Sequence, residues 1–113
     1  MPYSILIVDD DQVFCDELSE ILDEYRTITA FNPKDAIACL EYPNGIDLLL
    51  LDVRLPGMKG TELLKVVKER YVDLPVIMMT AYGSKDVIIE SMRNNTDDFI
   101  EKPIDISQLK QMI

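Results

Sequence analysis

The sequence predicts one α/β domain, a doubly wound parallel sheet of five strands with helices on both faces. Three observations carry this. Short apolar runs rich in Ile, Val and Leu alternate with segments whose apolar residues recur at helical spacing. The connections are short, so each strand–helix–strand unit needs a right-handed crossover that puts helices on the sheet faces. The 113 residues can enclose one core but not two of ordinary size.

Taken in order, Tyr3 to Val8 reads as a buried strand closed by acids. Phe14, Leu18, Ile21, Leu22 and Tyr25 mark a helix over residues 12–24. Thr27 to Phe31 is a short strand. Asn32-Pro33 then supplies an N-cap and a proline at the first helical position, for a helix ending near Glu41. Pro43-Asn44-Gly45 is a turn. Ile46 to Leu51 is the most apolar strand, and Leu48 to Leu51 has no polar face, which places it centrally with both sides covered. The loop from Arg54 to Gly60 precedes a helix marked by Leu63, Leu64, Val67 and Tyr71. Val76 to Met79 is the fourth strand. Ser84 caps a helix over residues 85–93, which Asn94-Asn95 ends. Asp98-Phe99-Ile100 is the fifth strand. Asp105 with Gln108 resembles a capping box for a last helix.

Composition narrows function. Asp and Glu number 21 against 11 Lys and Arg, a net charge of -10. Lys59, Lys65, Lys68, Arg70, Lys85, Arg93, Lys102 and Lys110 are scattered, so this segment is not expected to bind nucleic acid directly. No apolar run reaches membrane-spanning length and no signal peptide is read at the start, so a cytoplasmic location is expected. Cys15 and Cys39 lack CxxC spacing and sit among apolar residues; both are expected as buried free thiols.

In open α/β sheets, ligands bind beyond the carboxyl ends of the strands. Asp9-Asp10-Asp11 follow the first strand, Asp52 the third, Thr80 the fourth and Lys102-Pro103 the fifth. Each has a bland alternative alone: a helix-end anion, a turn residue, a strand end, a surface lysine. Together they form a coherent set. Crowded acids repel one another and favour protonation or a bound cation. Oxygen ligands in a chain without histidine suit Mg2+. A metal and a lysine would offset the charge of an incoming phosphoryl group, which a carboxylate can accept as an acyl phosphate.

On these residues the chain resembles the receiver domains of two-component response regulators, over essentially its whole length. The matching pieces are Ile5 to Asp11, Leu51 to Gly60, Met79 to Tyr82 and Asp98 to Pro103. The resemblance implies a flavodoxin-like fold with strand order 2-1-3-4-5. It implies that Asp52 accepts phosphate from a sensor histidine kinase. Asp9, Asp10, Asp52 and the backbone carbonyl of Arg54 would bind Mg2+ or Mn2+. Thr80 would be the switch hydroxyl, Lys102 the phosphate contact paired with Asp52, and Phe99 the switch aromatic. A cis Lys102-Pro103 bond is also implied. The expected signalling face combines the fourth helix, fifth strand and last helix; an output domain or effector would read it, and a homodimer is compatible with it. Residues 1–113 are expected to be the N-terminal receiver of a longer, transcription-regulating protein, with a shortened last helix. The domain is expected to be a regulatory phosphoacceptor and not a turnover enzyme.

Departures are few. Asn95-Thr96 stands where a Gly-Ala pair often precedes the fifth strand. Arg54 and Tyr82 occupy positions that tune acyl-phosphate hydrolysis in the family, and their bulk is expected to lengthen the phosphorylated lifetime. A haloacid-dehalogenase-type phosphatase would need a second Asp where Arg54 stands. A flavin carrier would need a phosphate loop where three Asp stand, a P-loop is absent, and a receiver signalling by contact alone would not need every chemical residue.

Overall fold

The computed structural model describes residues 3–41, 45–80 and 97–113. Five parallel strands form one sheet in the order β2-β1-β3-β4-β5. These are β1 (Ser4–Val8), β2 (Arg26–Ala30), β3 (Leu48–Asp52), β4 (Val76–Thr80) and β5 (Asp98–Glu101). The described helices are α1 (Gln12–Ile21), α2 (Pro33–Glu41), α3 (Gly60–Arg70) and the last helix, α4 (Ile106–Met112). The helix expected over residues 85–93, its Ser84 cap, the Asn94-Asn95-Thr96 turn and Tyr82 lie outside the described residues, as does most of the turn at Pro43-Asn44.

β3 is buried along its whole length, and its side chains alternate between two cores. Leu49 and Leu51 join Leu6, Val8 and Met78 under α2 and α3, which contribute Ala36, Leu63, Leu64 and Val67. Leu48 and Leu50 join Ile5, Ile7, Ile77 and Met79 under α1 and α4, which contribute Cys15, Leu18 and Leu109. Burying a Leu or Ile fully is worth about 1.5–3 kcal/mol, so this strand anchors both layers.

Polar caps set the helix starts. Asp11 accepts from the Phe14 N–H at 3.0 Å, Asn32 from the Asp35 N–H at 2.8 Å and Asp105 from the Gln108 N–H at 3.1 Å. α3 has no side-chain cap; its Gly60 N–H donates to the Val53 carbonyl at 2.8 Å. A Cβ at Gly60 would strike the Asp52 carbonyl and the Val53 Cα, so only glycine lets α3 begin against the end of β3.

Some boundaries differ from expectation. α1 ends at Ile21, because the Leu22 N–H closes the helix on the Leu18 carbonyl. β2 runs from Arg26 to Ala30, in register with Ser4 to Val8, and leaves Phe31 beyond the ladder. β3 starts at Leu48 because the Asp47 carboxylate accepts the Ser4 N–H at 2.8 Å, a side chain taking a ladder position. Cys15 is buried as expected, but Cys39 is only half-buried. No helix among the described residues is long and apolar enough to cross a membrane.

Candidate functional site

Strand register assembles the site. Val8 pairs with Leu51, so the next residues, Asp9 and Asp52, emerge side by side. Asp52 pairs with Met79, and Thr80 follows one step on. Thr80 pairs with Glu101, and Lys102 follows that. The sheet's carboxyl edge thus gathers the groups in a staircase from β1 to β5. The Lys102-Pro103 bond is cis.

Asp9 is 1% exposed and both its oxygens are engaged. Oδ1 accepts the Asp11 N–H at 3.0 Å, and Oδ2 accepts from Lys102 Nζ at 2.6 Å. Lys102 pairs with Asp52 as expected, its Nζ lying 3.7 Å from Oδ1, but its shorter contact is with Asp9. One oxygen each of Asp9, Asp10 and Asp52 lie within 4.8 Å of one another. Asp10 is exposed, so this acidic cluster opens to solvent on one side.

The electrostatics follow from the crowding. Burial raises the Asp52 carboxyl most, Asp9 adds to it, and the Lys102 ammonium and a hydrogen bond from the Arg54 N–H oppose; the result is about 6. Burial alone would lower the Lys102 ammonium, but the Asp9 hydrogen bond and the Asp52 charge outweigh it and raise the pKa. The donor set therefore fits a hard divalent cation: three carboxylates in reach of one another, one already committed to an ammonium. Thr80 is fully buried, and its Oγ1 has no hydrogen-bond partner among the described residues. A buried hydroxyl left without a partner is costly.

Phe99 is not part of the carboxylate cluster. It sits on β5, half-buried, against the core under α2 and α3. Arg54 is exposed at the start of the loop, where Gly57 takes a φ of 80°.

The sequence model of the family described as "Response regulator receiver domain" matches residues 5–113. The chain belongs to that family. Among curated relatives, this receiver is 32% identical over 115 residues to response regulator protein FleR of Pseudomonas aeruginosa, covering all of this chain and 24% of FleR. It is 36% identical over 110 residues to PilR of the same organism, covering 96% of the chain and 24% of PilR. It therefore spans about a quarter of the length of those regulators. A CheY-like receiver domain protein from Methanospirillum hungatei superposes with a TM-score of 0.91 at 31% identity, covering 99% of this chain and 90% of that one. NtrX from Brucella abortus, in complex with ADP, gives 0.90 at 32% identity, covering 99% of this chain and 26% of that one.

Asp11 caps α1, the helix-end role weighed for the acidic run. Strand-end reasoning missed Phe14, which lies under the Lys102 ammonium, its ring centroid 4.5 Å from Nζ. The aligned Asp11 and Phe14 of a capped first turn are visible in the sequence, but a helical aromatic at that spacing reads first as core. Gly60 was placed near the start of the third helix without the close approach to Asp52 that requires it.

Proposed function

We propose that Asp52 is the phosphoryl acceptor of this receiver and that the domain works as a phosphorylation-driven switch in a two-component system. The observation that carries this is the convergence of Asp9, Asp10 and Asp52 with the Lys102 ammonium held against two of them. Asp9, Asp10, Asp52 and the Arg54 carbonyl would hold Mg2+ or Mn2+, which when bound supplies positive charge against the phosphoryl oxygens.

One Asp52 oxygen forms a bond to phosphorus as the bond from phosphorus to the histidine kinase's imidazole nitrogen breaks. The product is an acyl phosphate, and the imidazole leaves with its electron pair. Above a pH of about 6 the Asp52 carboxyl is ionised and ready as nucleophile. Lys102, between Asp9 and Asp52, needs only a small shift to contact the new phosphoryl oxygens. The Thr80 hydroxyl, without a protein partner among the described residues, can donate to one of them. Phosphorylation adds about two negative charges at Asp52. Phe99, packed against the core under α2 and α3, would pass the change to a face that includes β5 and α4.

A sensor histidine kinase as donor, an output domain or effector as reader, and control of transcription fit the regulators this chain is similar to. A homodimer is one way such a face is used. The bulk of Arg54 and Tyr82 is proposed to slow hydrolysis of the acyl phosphate.

Incubation with acetyl phosphate and Mg2+ should add the mass of one phosphate. The addition should vanish in Asp52→Asn and with EDTA. Persistence in Asp52→Asn would show that another residue is the acceptor.

A further inference from the structure

The Lys102 ammonium carries three N–H bonds and is held by contacts of unequal quality. Asp9 Oδ2 is at 2.6 Å and Asp52 Oδ1 at 3.7 Å. A third side faces the Phe14 ring, 4.5 Å from its centroid. The Lys102 side chain is 30% exposed, so water competes for the ammonium. One short hydrogen bond fixes a point of contact but leaves a flexible four-carbon stem free to swing about it. The negative face of an aromatic ring opposes that swing, because leaving it costs the cation–π attraction.

The ring is itself well placed. The Asp11 cap bond fixes the Phe14 backbone at 3.0 Å, three residues past the cap, in the first turn of α1. The ring lines an apolar groove of about 300 Å³ together with Leu18, Ile21, Ile104, Ile106 and Lys102. A leucine there would fill much of the same apolar space but present no quadrupole to the ammonium.

We infer that Phe14 is a positioning residue: its ring holds the Lys102 ammonium beside Asp9 and Asp52, so that positive charge is in place before the phosphoryl group arrives. The positioning role rests on Asp52 being the acceptor, while the ring–ammonium stack stands independently of it.

The test uses the full chain and two readouts. In metal-free protein, the Lys102 Cε protons should be shifted upfield by the ring current in wild type and in Phe14→Tyr. In Phe14→Leu the shift should disappear and Cε relaxation should show a more mobile side chain. In parallel, the initial rate of phosphorylation by acetyl phosphate at saturating Mg2+ should fall about 3- to 10-fold in Phe14→Leu, the size expected for loss of a partly solvated cation–π contact. Phe14→Tyr should restore it, and circular dichroism should show all three proteins folded. Absence of the upfield shift in wild type, or equal Lys102 mobility in Phe14→Leu, would overturn the stack. An unchanged rate in Phe14→Leu, or an equal fall in Phe14→Tyr, would overturn the positioning role. A wild type that takes up no phosphate defeats the acceptor reading and the positioning role with it, while the magnetic resonance arm still judges the stack.

Discussion

Replacing Asp52 by Asn should stabilise the metal-free protein. The variant keeps the shape and the acceptor oxygen for the Arg54 N–H, removes one buried charge, and leaves Lys102 paired with Asp9 at 2.6 Å. Burial, then Asp9, moves the Asp52 carboxyl from an ordinary 3.8 to about 6. A carboxyl that binds its proton more tightly when folded makes folding less favourable as pH rises through that interval. The full interval corresponds to about 3 kcal/mol, and the coupling of this carboxyl to the charges around it brings the part assignable to Asp52 alone to about 2 kcal/mol. Asp52→Asn should therefore gain about 2 kcal/mol over wild type near pH 8 in EDTA, equivalent to about 5–10 °C in Tm. The advantage should shrink from about pH 6 downward and vanish below about pH 4, where wild type is also neutral at this position. Urea unfolding followed by circular dichroism across that range measures it. A variant no more stable than wild type near neutrality, or a pH-independent gap, would refute the reasoning.

Four further outcomes are expected. Mg2+ at a hundredfold excess over its Kd should stabilise wild type by about 2.7 kcal/mol in a thermal melt, and much less in Asp52→Asn. Gly60→Ala should destabilise by about 2–3 kcal/mol in urea, because a Cβ there meets backbone and not a yielding side chain; a change under about 0.5 would contradict it. Thr80→Val should be neutral or stabilising by about 1 kcal/mol in the unphosphorylated protein, since the buried Oγ1 has no partner among the described residues, yet should weaken the effector response to phosphorylation; a loss of several kcal/mol would show the hydroxyl is satisfied. Burial, with Asp9 and Asp11 adding, pushes the Cys15 thiol up to about 12, so iodoacetamide near pH 8 should alkylate it only after denaturation, as peptide mass mapping would show.

Much of this site was legible in the sequence because short continuous apolar runs and the strand–helix alternation fix which residues end each strand. Asp9, Asp52, Thr80 and Lys102 follow from that alone, and the all-leucine run of β3 located the centre of the sheet. What was not legible depends on side-chain choice within a few ångströms. Lys102 can reach either Asp9 or Asp52, and only the assembled edge shows that it favours Asp9. Phe14 obeys the helical spacing of a core residue, so its second role under an ammonium was hidden by its first. The Asp47 carboxylate that imitates a strand partner for Ser4 moved the start of β3 by two residues, a substitution that periodicity cannot register. Gly60 looked like an ordinary helix-start glycine until the carbonyl of Asp52 lay against it.

The alternation of β3 makes the sheet a partition wall. Phe99 leans into the compartment under α2 and α3, whereas Phe14 belongs to the one under α1 and α4. Phe14 and Phe99 thus report to different rooms. Mutational drift in one compartment can retune one surface while leaving the other's packing untouched. Leu49→Ala and Leu50→Ala, adjacent in the chain yet on opposite sides of the wall, should then behave as strangers, with losses that add.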